Sequence, residues 1–263
     1  MISIVIRNKN EAKLLERTLK ILTKFYHDDI DEIILVDNYS NDNSVEIAKS
    51  YKCKIIFIDK FTYGKAINMG IESAKNNVVL LLSTHVIPMG NSFFKNSLSF
   101  VQNKKKWAGV RFINSAKNFE RALEYDFEVK KPLDFGLMAA CCLVSKEVWE
   151  EVKFDDSLPF SEDKEWSSRV TQLGYSIYDI NETFFYDIKR DEMSELNRIK
   201  NETLAHFKLH SELKFPNKLK LLLSFIKKIS ILNTISYFKT MKRDFMILKI
   251  KFWIANQLNK KDA

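Results

Sequence analysis

Cysteine is scarce in this 263-residue chain: there are three, and Cys141 and Cys142 are neighbours. Such a set makes no disulfide framework and lacks the spacing of a zinc site. A reducing, cytoplasmic compartment is the simplest expectation. The opening MISIVIRNKNEA turns polar after six residues, so no signal peptide is expected there. No uninterrupted apolar run approaches the roughly 20 residues that a membrane-spanning helix needs, and no such span is expected. Internal repeats and low-complexity linkers are also missing. The six glycines form no Gly-rich phosphate fingerprint, which argues against an ordinary dinucleotide fold.

What is present is a chain with 46% hydrophobic residues, enough for one large domain with a sizeable core, or one domain plus an appendage. Its formal charge of +8 is unevenly spread. From Lys208 to Ala263 thirteen Lys or Arg stand against Glu212, Asp244 and Asp262, a surplus of ten, so residues 1–207 carry a net −2. Arguments about basic partners therefore belong to the tail.

The first half alternates. ISIVIRN reads as a buried strand, and NEAKLLERTLKILTKF as a helix with Leu14, Leu15, Leu19 and Leu22 at helical spacing. DEIILVDN is a strand ending at Asp37, followed by the Ser/Asn/Asp-rich turn and helix of SNDNSVEIAKSY. KIIFIDK, GKAINMGIESAK and NVVLLLSTH continue as strand, helix and strand. This order predicts a mostly parallel sheet with crossover helices, whose ligand lies beyond the carboxyl ends of the strands. Arg7 and Asn8, Asp37 and Asn38, Lys60, and Ser83 to His85 stand at those ends and are expected to share one crevice. In the second half, WAGVRFI and MAACCLVS read as strands and KEVWEEV as a short helix. FDDSLPFSEDKEWSSRVTQLGY is an acidic loop entering a helix, SIYDI and TFFYDIK are closing strands, and the pattern is helical from about Met193. The reading divides the chain into an α/β domain over 1–192 and a helical tail over 193–263.

Four segments, in order, resemble the inverting family 2 glycosyltransferases of the GT-A fold: VIRNKNEAKLLERTL, EIILVDNYSNDNSVEIAKSY, FTYGKAINMGIESAKNNVVLLLSTHVIP and FDDSLPFSEDKEWSSRVTQLGY. The likeness covers about residues 1–187. The third segment is similar to a subgroup with Ser-x-His-x-x-Pro where most members carry Asp-x-Asp. The resemblance implies a GT-A-like sheet, a nucleotide-sugar donor and transfer to an acceptor hydroxyl. Such chemistry needs a base for the acceptor proton and groups that neutralise the departing diphosphate.

By that resemblance Asp163 is the expected base, and Glu162 binds the acceptor or orients its loop. The same SEDKEW also suits the acidic first turn of a helix. Trp166, three residues on, is either an acceptor wall or core. Asp37 is expected to accept a hydrogen bond from the nucleobase, with an Asx turn as the alternative. Asn8 and Glu11 fall where the family contacts the nucleoside, although Glu11 also suits a first helical turn. Arg7, in place of the family's common proline, reaches a phosphate or is merely solvated. Lys65 and Asn68, just past Gly64, suit a donor contact near a helix N-terminus, and a surface lysine is the plainer reading of Lys65.

Ser83, Thr84 and His85 occupy the Asp-x-Asp position. His85 has three readings: a contact to the donor diphosphate that makes metal dispensable, a metal ligand, or a structural His. Losing two carboxylates lowers the site's charge and weakens Mg²⁺ or Mn²⁺ binding, while imidazole suits softer ions. The family's usual His in the last strand is also missing from TFFYDIKRD, where Asp187 is the nearest substitute. Cys141 and Cys142 read as core, and His206 and His210 as surface or packing residues.

In the tail, Leu219, Leu222, Phe225, Ile226 and Ile229 lie opposite Lys220, Lys227 and Lys228. A basic face backed by apolar side chains suits an anionic membrane surface, where lipid-linked acceptors would lie. A helical hairpin that packs on the domain or forms a homo-oligomer is the alternative, and nucleic acid fits poorly. The expected function is inverting sugar transfer to a surface-polysaccharide or lipid-linked acceptor at the cytoplasmic face of the cell membrane. A non-catalytic nucleotide- or glycan-binding scaffold is the rival from another class, and a nucleotidyltransferase the third.

Overall fold

The computed structural model describes residues 1–188 and 191–258. It runs β1 (Ile2–Asn8), α1 (Ala12–Phe25), β2 (Ile30–Asp37), α2 (Ser44–Ser50), β3 (Lys54–Phe57), α3 (Tyr63–Glu72), β4 (Val78–Ser83), β5 (Val86–Pro88), α4 (Phe93–Gln102) and β6 (Trp107–Phe112). Then follow α5 (Ala116–Glu124), α6 (Pro132–Phe135), β7 (Cys141–Ser145), α7 (Lys146–Glu151), α8 (Glu162–Gln172), β8 (Ser176–Ile180), β9 (Phe184–Tyr186) and α9 (Glu192–Leu209). Beyond it lie α10 (Lys218–Lys227), a π-helical turn over Lys228–Leu232, and α11 (Asn233–Leu258).

Seven strands form one sheet in the order β3-β2-β1-β4-β7-β6-β8. Every pairing is parallel except those of β7, which runs antiparallel to both neighbours. This is the expected mostly parallel, GT-A-like sheet flanked by helices. Side chains alternate between two cores. Ile2, Ile4 and Ile6 pack with Leu15, Leu19 and Leu22 of α1 on one face. Val5, Ile34 and Val36 pack with Ile67 and Ile71 of α3, Trp149 and Trp166 on the other. Gly70 lets α3 lie close to β1, since a Cβ there would come within 2.2 Å of a Val5 methyl. Cys141 and Cys142 are fully buried, one in each core. Burial pushes both thiols up, so neither is a nucleophile at neutral pH.

One pairing differs from expectation. TFFYDIK does not close the large sheet: β9 pairs antiparallel with β5, a short strand directly after His85. This ribbon fixes His85 from the far side, and the Asp187 N–H donates to the His85 carbonyl at 2.9 Å.

The chain divides into two compact units, Met1–Ser211 and the remainder from Glu212, so α9 falls in the first. In the second, one helical stretch of 37 residues, Lys218–Ile254, takes the place of the helical hairpin that was the alternative reading. Between Lys218 and Leu258 there is neither Gly nor Pro to break it. The expectation that nothing here could span a bilayer also needs correction. This helix is long and apolar enough to cross a membrane by length and composition. Its lysines interrupt every apolar run, yet Leu221–Phe238 holds only Lys227 and Lys228 as charged residues. No described side chain of the helix is buried. The last five residues of the expected tail, 259–263, lie outside the described residues.

Candidate active site

The carboxyl ends of β1 and β4 and the segment leading into β7 border a cleft of about 940 Å³. Arg7, Glu11, Ser83, His85, Glu162 and Asp163 all line it. Register explains the convergence: Arg7 lies opposite Ser83, Asn8 opposite Asp37, and Leu82 opposite Cys141 at the start of β7.

Glu162 and Asp163 open α8. The residue before them, Ser161, sits in the left-handed region at φ 62° and makes no side-chain cap bond. A non-glycine residue in that conformation is uncommon, and such strain clusters at functional sites. Asp163 is held at both oxygens: Oδ2 accepts from the Ala139 N–H at 3.1 Å and Oδ1 from the Lys164 N–H at 2.8 Å. Burial raises its pKa, and those two N–H groups partly offset the rise. Glu162 is buried, and its pKa is pushed up to about 7 by burial first and the charge of Asp163 second, with Arg7 acting in the opposite sense. Adjacent buried carboxylates cannot both ionise cheaply, so the two titrate as a coupled pair.

The Arg7 side chain lies beside them, largely covered. Its Nη2 donates to the Ala139 carbonyl at 2.7 Å, its Nη1 lies 3.8 Å from Glu162, and its guanidinium sits 5.5 Å from the centre of the Tyr63 ring. It is not a solvated surface arginine.

At the end of β4, the buried Thr84 hydroxyl donates to the Glu11 carboxylate. His85 Nδ1 lies 3.6 Å from the same oxygen, and its ring meets Tyr186 edge-on at 5.1 Å. Arg17 pairs with Asp187 at 2.6 Å on the neighbouring ribbon. As a metal site this set is poor. Its carboxylate is engaged by Thr84, Asp187 is held by an arginine, and the remaining ligand is an imidazole. Among the described residues no three His, Cys, Asp or Glu side chains group as a cation cage. A hard Mg²⁺ or Mn²⁺ ion wants carboxylate oxygens, which β4 does not present.

Asp37 is fully buried and holds the turn after β2. Its oxygens accept from the Ser40 N–H and Ser40 hydroxyl, each at 2.7 Å, and from Asn8 Nδ2 at 2.8 Å. The Asx-turn alternative thus describes its contacts, and Asn8 Oδ1 is the buried acceptor left without a partner.

Two expected contacts lie elsewhere. Asn68 is a structural staple, not a donor contact. Its amide donates to the Phe154 carbonyl at 2.8 Å and to Asp156 at 2.7 Å, and accepts from Trp149 Nε1 at 2.7 Å and the Phe154 N–H at 3.1 Å. Trp166 is core, not an acceptor wall: it is fully buried, stacks on Phe154 at 4.7 Å, and donates to the Val152 carbonyl. Lys65 is half-buried on α3 and does not line the cleft.

Two groups of lining residues were not expected at the cleft, among them His206 and His210, which read as surface or packing residues. Arg111, next to the last residue of β6, donates from Nη1 to the Phe135 carbonyl, and its signal is one charge inside the apolar WAGVRFI. Arg198, His206 and His210 bring α9 to the cleft as a wall, with His210 3.6 Å from Asp134. The four-residue spacing of the histidines marked their shared face, but nothing in the sequence showed that face meeting the cleft.

Residues 3–150 match the family model for Glycosyl transferase family 2. The chain belongs to this family. No curated protein matches it. The fold of this family 2 chain is similar to the mannosyltransferase PcManGT from Pyrobaculum calidifontis, solved with GDP-Man and Mn²⁺ (TM-score 0.63, 13% identity, 82% of this chain and 65% of that one). It is also similar to glucosyl-3-phosphoglycerate synthase from Mycobacterium tuberculosis, solved with Mn²⁺, UDP and glucosyl-3-phosphoglycerate (TM-score 0.60, 16% identity, 83% and 81%). A third similar structure is S. aureus TarS 1–349 with UDP-GlcNAc (TM-score 0.58, 15% identity, 72% and 59%). The family 2 chain thus spans 65% of PcManGT and 59% of that TarS fragment, and at these identities the likeness concerns the fold.

Proposed function

We propose that this protein transfers a sugar from a nucleotide-sugar donor to an acceptor hydroxyl, with inversion. The observation that carries the reading is the Glu162–Asp163 pair. Adjacent carboxylates withdrawn from water are costly to keep; burial raises the pKa of both, and the charge of Asp163 adds to the rise at Glu162. A carboxylate made more basic by its surroundings is what the chemistry needs. The acceptor oxygen attacks the anomeric carbon and its proton passes to Asp163. The bond from that carbon to the diphosphate oxygen breaks, and the nucleoside diphosphate leaves with the electron pair. Asn8 Oδ1, buried and unpartnered, is the acceptor for a nucleobase N–H, on a turn held by Asp37. His85, braced by Glu11, faces the diphosphate, and no step is routed through a metal ion. The neighbours' bound UDP- and GDP-sugars support a nucleotide-sugar donor. The basic apolar tail supports attachment to an anionic membrane surface and a lipid-linked or surface-polysaccharide acceptor.

The test is a thermal-shift panel of nucleoside diphosphates and sugar nucleotides, with Mn²⁺ and with chelator, followed by product analysis. Ligand binding raises the melting temperature by mass action. Stabilisation by one nucleotide that survives chelator supports the reading. Stabilisation only with Mn²⁺ overturns its metal-free part. No stabilisation by any nucleotide favours the non-catalytic scaffold, for which the Ser-Thr-His replacement speaks.

A further inference from the structure

We propose that the acceptor end of the cleft recognises an anionic group, a phosphate or carboxylate that the acceptor carries near its reacting hydroxyl, through Arg7 and Arg111. The proposal rests on the transfer reading above. Both side chains line the cleft and are nine-tenths buried, 9% and 8% exposed. They grip the two ends of one loop, Arg7 at the Ala139 carbonyl and Arg111 at the Phe135 carbonyl. The same loop holds Asp163 through the Ala139 N–H.

Each guanidinium keeps a buried N–H with no hydrogen-bond partner: Nη1 of Arg7 and Nε of Arg111. Buried unpaired donors are rare in native proteins and call for a partner. The nearby carboxylates do not supply one. Glu162 stands 3.8 Å from Arg7, and Asp179 stands 3.8 Å from Arg111 and is already bonded to Arg121 at 2.6 Å. Three buried guanidiniums therefore face Asp179 and the Glu162–Asp163 pair. When that pair holds one proton, one positive charge is left over. An uncompensated buried cation is costly, and a guanidinium fork matches carboxylate and phosphate oxygens. Location assigns the anion to the acceptor. Arg7 and Arg111 both act electrostatically on Asp163, where the acceptor hydroxyl must come. The donor diphosphate is placed instead at Ser83–His85.

The test saturates the protein with UDP or GDP, whichever stabilises it, and then titrates inorganic phosphate or acetate at constant ionic strength, reading the melting temperature. The expected result is a further saturable rise with at least one of them, weakened about tenfold or more in Arg111→Met, as for loss of a charge-assisted bond. Arg7→Lys keeps the charge but loses the fork, and is expected to weaken the same rise should Arg111→Met not fold. Three outcomes overturn the proposal: no saturable rise in the wild type, an undiminished rise in both variants, or displacement of the nucleotide by phosphate, which would make the pair a donor site. If neither nucleotide binds, the transfer reading fails separately. The titration of free protein then decides the arginine pair, for it if the rise appears and is weakened in Arg7→Lys, against it otherwise.

Discussion

Replacing Glu162 by Gln is expected to stabilise the protein at high pH and hardly at all at low pH. Burial and the neighbouring Asp163 raise the Glu162 pKa from 4.5 to about 7. Because the folded value lies above the unfolded one, the folded state holds a proton that the unfolded state has released between those two values. Stability from this group is complete below the unfolded pKa and is lost as pH rises through the folded one. Each unit is worth 1.36 kcal/mol, so the loss is about 3 kcal/mol above neutrality. Gln keeps the shape, never ionises, and gives up only the long 3.8 Å pairing with Arg7. The advantage of Glu162→Gln over wild type is therefore expected to grow by about 3 kcal/mol between roughly pH 5 and pH 8. Urea unfolding followed by tryptophan fluorescence at several pH values reads it directly, and taking the difference between the two proteins cancels the titrating groups that do not interact with Glu162. Parallel stability curves, or a variant that loses ground as pH rises, would refute the argument that burial governs this carboxylate.

Asp163→Asn is expected to lower kcat by about 10²–10⁴-fold, with the thermal shift by nucleoside diphosphate retained; an unchanged kcat would remove Asp163 as the base. In Asn68→Ala, Trp149 Nε1 and the Phe154 N–H lose their acceptor, at a cost of about 1–3 kcal/mol by chemical denaturation. Nucleotide affinity should not change, and a large loss there would return Asn68 to the donor site. Gly136→Ala places a Cβ 2.6 Å from the Pro132 carbonyl and 2.7 Å from Lys164 Cα. Overpacking of about 1–3 kcal/mol and displacement of the loop that holds Asp163 are expected, visible as a lower melting temperature together with a lower kcat. A variant with wild-type values of both would show that the loop has slack.

Much of the first half of the chain could be read in advance because its signals are local. Ile2, Ile4 and Ile6 against Ser3 and Val5 set the faces of β1 by simple alternation. A parallel sheet then requires Arg7, Asn8, Asp37 and Ser83–His85 to come to one end. The first-turn acids of α8 were equally visible. What spacing could not convey is what a given face meets. Trp166 shares a face with Asp163, yet one enters the core and the other the cleft, because Phe154, at the start of the same acidic loop, folds back to stack on the ring. Asn68 looked like a polar residue near a helix N-terminus, and only the 149–156 segment folding over it uses up its hydrogen bonds. Arg111 was hidden in an apolar strand because its partners, Phe135 and Asp179, come from elsewhere in the chain. The tail misled for another reason: regularly spaced lysines break each apolar run without lowering the composition of the whole helix.

The reversed strand β7 has a consequence for how such an enzyme can change. Because it runs against its neighbours, its leading end, not its trailing end, reaches the cleft. The loop that enters it, Gly136–Ala140, therefore stands beside the outgoing ends of β1 and β4. One rim of the opening is written by segments leaving strands, the other by a segment arriving at one and by the start of α8. On the proposed transfer reading, substitutions on the arriving side would retune which molecule receives the sugar while the sugar carrier's berth stays as it was. One sheet would then divide two recognition problems between separate, independently editable stretches of sequence.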